Sequence, residues 1–184
     1  MISKVLVFML GGHRLALPAD VVRECLPLPR LSRRPGMPDA VAGFLRLGHR
    51  TLPVLDLARL LGLRGHGVAS LLEADGLYRH VIRLDSLNLL VDRALGFADA
   101  TDMPADELPD AQAALLADPQ PGASRDPWQP GCVRHLLAEG EPVALLDPEQ
   151  ILHADERARL NAMTEAASRR EDAWAGEDVL DDAG

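Results

Sequence analysis

The chain has 184 residues, 47% hydrophobic and 26% charged, with 28 acidic against 19 basic residues for a net charge of −9. Such a chain is too apolar for disorder and long enough for one ordinary domain or two small, closely packed subdomains. The acidic balance argues against nucleic acid or an anionic membrane surface as partner, because both reward clustered cations.

Aromatic residues make up only 3% of the chain while leucine fills 33 positions, so the core is aliphatic. Cys25 and Cys132 are far apart, with no CxxC pair and no disulfide framework. No apolar run approaches the length of a transmembrane helix, and Met1–Lys4 leads into a short apolar segment without a leader-type cleavage site. The expectation is a soluble cytoplasmic protein with no direct membrane insertion.

In chain order, Val5–Leu10 is an apolar run closed by Gly11-Gly12, a buried strand entering a hairpin whose return strand is Arg14–Leu17. Val21–Cys25 reads equally as a helical turn or a strand. Pro27, Pro29, Pro35 and Pro38 then deny a helix and mark an extended, turn-rich excursion. Val41–Leu47 and Arg50–Leu55 read as two strands joined near Gly48-His49. Asp56 caps a short helix, Leu57–Leu61, and Gly62 supplies its left-handed stop.

Further strands are expected over 69–73, 78–84 and 87–94, with turn chemistry at Asp75-Gly76 and Asp85-Ser86. Residues 101–130 hold six prolines and read as a long loop with one helix over 110–117. Order returns with strands over 132–138 and 143–146. Asp147, Pro148 and Gln150 then form a helix start, and that helix is expected to run to about Arg170. Its Ile151, Ala154, Ala158, Ala162 and Ala166 share one face, which predicts packing along the first turns only and a far end that is mobile or partner-bound. Residues 155–184 carry nine carboxylates against four arginines, and the last dozen or so are expected to be disordered.

One internal echo stands out. Leu55-Asp56 through Leu61 matches Leu146-Asp147 through Leu152, and each follows a Pro-Val strand start, at Pro53 and Pro142. Two similar strand–cap–helix units point to two related β subdomains, and many short strands with few helices point to barrels.

No constellation for chemistry is found. There is no Gly-x-Ser-x-Gly, and Gly62, Gly65 and Gly67 follow a helix rather than a strand, which excludes a dinucleotide loop. The six histidines are scattered without zinc spacing. No catalytic, metal or cofactor-binding residue is assigned. Asp56 and Asp147 are read as helix caps, and Asp92 as a strand terminator that bonds backbone amides.

The order of several segments resembles the CheW-like family of chemotaxis coupling proteins. They are Phe8–Gly12 through Leu15–Pro18 and Val22-Arg-Glu24; Leu31–Pro38; Gly43–Leu47 followed by Leu52-Pro-Val-Leu-Asp-Leu57; and Leu89–Asp92 with Val143–Asp147. The Leu-Pro-Val-Leu-Asp-Leu segment is the most specific. The resemblance covers about residues 4–153.

It implies a mostly β fold: two small five-stranded SH3-like β-barrel subdomains with short helices, spanning 1–153, and an acidic helical or disordered extension over 154–184. It also implies a non-enzymatic adaptor between the cytoplasmic tip of a chemoreceptor and the regulatory domain of a CheA-type histidine kinase. The pathway could be swimming chemotaxis or a related behaviour such as twitching motility. Carried over by position, Val22, Glu24, Leu45, Arg46, Leu47 and Gly48 belong to the receptor-facing surface. This sequence departs from the family at Gly48, where an arginine is usual, with Arg46 and Arg50 as nearby cations, and at Asn88, where a glycine is usual. The alternative function is an interaction module that engages a non-receptor protein through the acidic tail. A small-molecule sensor on the same barrels has no residue set to support it.

Overall fold

The computed structural model describes residues 3–33, 36–48, 50–63, 79–85, 87–103 and 134–177. The expected strand over 69–73, the Asp75-Gly76 turn, the helix over 110–117 and the chain's last residues lie outside them. Among the described residues ten strands form two five-stranded units.

The first unit is a closed barrel of β1 (Ser3–Leu10), β2 (His13–Pro18), β8 (Arg93–Asp102), β9 (Arg134–Ala138) and β10 (Glu141–Leu145), in the order β1-β2-β10-β9-β8. The second is a sheet of β3 (Val22–Pro27), β4 (Val41–Leu47), β5 (Arg50–Asp56), β6 (His80–Leu84) and β7 (Asn88–Val91), in the order β3-β6-β7-β5-β4. Among the described residues two helices accompany them, α1 (Leu57–Leu60) and α2 (Ala154–Glu177), with one 3-10 turn, Ala19–Val21, before β3.

The expected pairing of two related units holds at the level of topology. β5 lies antiparallel to β4 and parallel to β7; β10 lies antiparallel to β9 and parallel to β2. The two strands of the sequence echo therefore occupy equivalent places. The second unit is inserted whole between β2 and β8 of the first.

Why the strand sequences are apolar on both faces follows from where the cores sit. Val5 and Val7 of β1 enter a small barrel interior with Ala16, Ala98, Ala100 and Val143. Leu6, Phe8 and Leu10, on the opposite face, join the largest cluster, which lies between the units and includes Leu15, Leu17, Leu55, Leu57, Ile82, Leu89 and Leu146. The second unit's own interior is small again: Ala42, Leu45, Val54, Val81 and Leu90. A strand buried on both faces reads as a continuous hydrophobic run. Each unit thus has a small interior of its own, and the largest cluster is the one they share.

Local chemistry fixes the connections. Gly11 and Gly12, at φ +58° and +84°, make the two-residue turn that pairs Leu10 with His13. Asp56 caps α1 by accepting the Arg59 backbone N–H at 3.3 Å, and Gly62, at φ +67°, follows the helix as expected. Gly43 permits a close approach of another kind. A Cβ there would lie 2.8 Å from Leu31 Cβ and 2.9 Å from the Ser32 carbonyl oxygen. Its absence lets Ser32 and Phe44 exchange two backbone hydrogen bonds of 2.9 Å. The segment from Leu28, whose N–H bonds the Arg79 carbonyl, to Ser32 thus runs from the β3 edge to the β4 edge and pins the ends of the sheet together.

Three expectations are corrected. The strand over 87–94 is two strands in different units, because the chain breaks at Asp92. Asp92 accepts the Gly11 N–H at 2.7 Å, which is the amide-bonding role expected of it, and β8 then runs on to Asp102 by pairing with β1. The helix does not start at Pro148. Asp147 does cap, accepting the Glu149 N–H at 2.9 Å and the Gln150 side-chain amide at 2.9 Å, but only a turn results. Ile151 and Leu152, in the bend that follows, both enter the shared core, 3% and 4% exposed.

The helix proper, α2, begins at Ala154, with Glu156 accepting the His153 N–H at 2.8 Å, and it extends past Arg170 to Glu177. Its inner face is also not the alanine stripe. Ala154, Ala158 and Ala162 are exposed, while Glu156, Leu160 and Ala167 are buried. Packing reaches Ala167, well beyond the first turns. Leu160 has more apolar area than any alanine on the helix, so it sets the rotation.

Candidate functional site: the two edges of the second sheet

The six residues of the expected receptor-facing surface fall on the two end strands of the second sheet. Val22 and Glu24 are on β3; Leu45, Arg46 and Leu47 are on β4, with Gly48 in the turn to β5. These are the strands that the Leu28–Ser32 segment draws together.

A β-bulge shapes the β3 edge. Val22 pairs with Leu84 and Glu24 with Arg83, so Arg23 is the extra residue. A bulge of this kind turns neighbouring side chains to different sides. Val22 packs against the inter-unit core. Glu24, half-buried, forms an ion pair with Arg83 directly across the ladder. Arg23 reaches past the end of β6 to Asp85, its Nη2 2.8 Å from the carboxylate. Both members of that pair are exposed. The Arg23 guanidinium holds the Asp85 carboxyl below the usual carboxylate range, and Asp85 in turn raises Arg23. Cys25 is a free, exposed cysteine on the same edge, and partial burial pushes its thiol up.

At the other edge, side chains alternate. Leu45, 5% exposed, is inside the second unit, and Leu47 packs against the same cluster. Arg46 is exposed on the opposite face. Its Nε lies 3.3 Å from the Gly48 carbonyl oxygen, so the guanidinium folds over the hairpin tip. Gly48 is exposed at φ +58°, and a Cβ there would meet nothing within 4 Å. Three of the six residues thus present polar or backbone surface (Glu24, Arg46, Gly48), and three support it from beneath (Val22, Leu45, Leu47).

Between the two units lies an ion-pair path that the sequence did not reveal. Asp56 is fully buried, and its Oδ2 is 3.2 Å from Nη2 of Arg79, itself 4% exposed. Arg59 Nε is 3.8 Å from the same oxygen. Arg79 Nε also lies 3.8 Å from Asp92, the residue that holds the Gly11 turn. Asp56 is therefore both helix cap and buried counter-ion. Only the first role has a local signal; Arg79 is 23 residues away in sequence.

Among the described residues no group of three or more His, Cys, Asp and Glu side chains converges to hold a metal ion. No helix among them is long and apolar enough to cross a membrane.

Comparison with known proteins agrees with this architecture. No curated protein matches the chain. Among solved structures, the scaffolding protein TtCheW from Thermoanaerobacter tengcongensis matches with a TM-score of 0.51 at 19% identity, over 80% of this chain and 90% of that one. At that identity the likeness speaks for the fold. A model of the CheW-like domain matches residues 4–156, from the start of β1 to the first turn of α2. This chain belongs to the CheW-like domain family.

Proposed function

We propose that this chain is a non-enzymatic cytoplasmic adaptor that couples chemoreceptor tips to a CheA-type histidine kinase. The observation that carries the reading is the CheW-like match over residues 4–156, together with a fold of two five-stranded units that share one core. In this reading residues 1–153 are the adaptor domain and 154–184 an extension. Glu24, Arg46 and the Gly48 turn face the receptor, and Val22, Leu45 and Leu47 hold that surface in shape. Arg46 takes the place of the arginine usual in the family at Gly48. Its support is the contact between Arg46 Nε and the Gly48 carbonyl, which brings the cation to the hairpin tip. The kinase's regulatory domain pairs with a barrel surface away from that tip.

Calorimetric titration against the regulatory domain of each CheA-type kinase of the source organism tests the reading. Saturable binding to one of them is expected, and its identity assigns the pathway, whether swimming or twitching. Binding to none refutes the adaptor role and turns attention to a non-receptor partner of the acidic tail. Arg46→Ala is expected to weaken binding of a receptor hairpin several-fold and to leave kinase binding unchanged. An equal loss for both partners would overturn the assignment of Arg46.

A further inference from the structure

We infer that α2 is a detachable cover on β5, which competes with a partner helix for the sheet face beside the β4–β5 hairpin; this rests on the adaptor reading above. α2 packs chiefly against β5, the strand that leaves the hairpin tip carrying Arg46 and Gly48. Leu160 enters the inter-unit core, against which Val22 of the other edge also packs. Ala167 is buried seven residues further along, about 10 Å at the rise of an α-helix. The helix therefore packs on β5, the strand that pairs with the β4 edge of the candidate surface.

Over its described side chains, Ala154 to Arg170, its hold is thin. Between Ala154 and Arg170, Leu160 is the one large apolar side chain that is nine-tenths buried; the other two residues so buried are Ala167 and Glu156. Glu156 works against docking. Its Oε2 takes the His153 N–H, but Oε1 is buried without a hydrogen-bond partner among the described residues. A carboxylate oxygen so placed has lost its water without full replacement, and release of the helix returns it. The attachment is also a strap. Ile151 and Leu152 stay anchored in the core while α2 begins only at Ala154, so the helix can lift without unravelling the barrel.

The face that α2 covers is one that accepts a helix. A partner helix bringing several large aliphatic side chains, such as one arm of a receptor's helical hairpin, buries more apolar area there than Leu160 and Ala167 do. α2 thus sets a threshold for receptor engagement and leaves kinase pairing untouched.

The test uses the full chain. Ala167→Glu forces a charge into the α2 contact without touching the core clusters, and Leu160→Ala removes the anchor. Each is titrated with a chemoreceptor cytoplasmic hairpin and, separately, with the kinase regulatory domain. Receptor affinity is expected to rise about tenfold for Ala167→Glu with kinase affinity unchanged. Unchanged or weaker receptor binding by a variant that still binds kinase overturns the cover while the adaptor reading stands. Amide exchange of the wild-type chain gives a readout that needs no partner. Residues 154–170 are expected to exchange at least about 100-fold faster than β1 and β5. Equal protection of helix and strands would sink the inference whatever the variants do.

Discussion

Replacing Arg79 by methionine keeps the length and apolar stem of the side chain and removes its charge. Asp56, fully buried, then loses the guanidinium 3.2 Å away and keeps the Arg59 backbone N–H at 3.3 Å and Arg59 Nε at 3.8 Å. Removing one partner of a buried ion pair typically costs about 3–5 kcal/mol, because the remaining charge stays desolvated. With Arg59 still beside Asp56, the lower end applies, about 3 kcal/mol. At about 2–4 °C per kcal/mol for a chain of this size, the melting temperature falls by about 6–12 °C.

Equilibrium urea unfolding is the assay, with the denaturant slope held as a check that one transition is preserved. One transition is expected, because the units share their core. Asp56→Asn is expected to cost a similar amount. The double variant should then lose about 2 kcal/mol less than the sum, since neither charge is left unpaired. A loss below about 1 kcal/mol for Arg79→Met, or strict additivity in the double variant, would refute the counter-ion role and leave Asp56 as a cap alone.

Gly43→Ala is expected to destabilise by about 1–3 kcal/mol by overpacking against Leu31 and the Ser32 carbonyl; an unchanged urea midpoint would show that the Ser32–Phe44 pairing does not need the gap. Leu160→Ala should lower stability by about 2–3 kcal/mol, read as a shifted midpoint at constant slope; a shift under about 0.5 kcal/mol would mean that α2 contributes nothing to the shared core. His135 is held below the ordinary histidine range by burial, so the unfolded chain takes up the proton first. Its contribution to stability is full above about pH 6.5 and lost as pH falls through the lowered folded value. His135→Gln should flatten the stability profile on the acid side of neutrality, and an identical profile would exclude the effect.

Much of the fold was legible because its signals are local. The Gly11-Gly12 turn, the β4–β5 hairpin and the Asp56 cap each depend on residues within a few positions of one another. What escaped depends on distant ones. The break at Asp92 is decided by a glycine amide 81 positions away, and β8 is a ten-residue strand because β1 lies beside it. The alanine stripe of α2 is regular in sequence, yet Leu160 overrides it once a core is there to receive it. In the candidate site, Val22 and Glu24 were picked out by resemblance. Their surroundings (the Arg23 bulge, the Arg83 partner and the seam to β4) carry no mark in the linear chain.

The insertion of the second unit within the first has a consequence for how the protein is made. β3 to β7 emerge from the ribosome as one continuous stretch and can pair as they appear, whereas β1 and β2 must wait for β8 and β10, the last of which is complete only at Leu145. Until then the apolar face of the first hairpin, Leu6, Phe8 and Leu10, has only the nascent second unit to lean on. Synthesis thus orders assembly from the middle outward, and a chain arrested before β10 carries an open barrel whose hydrophobic strands are exposed to chaperones and neighbours.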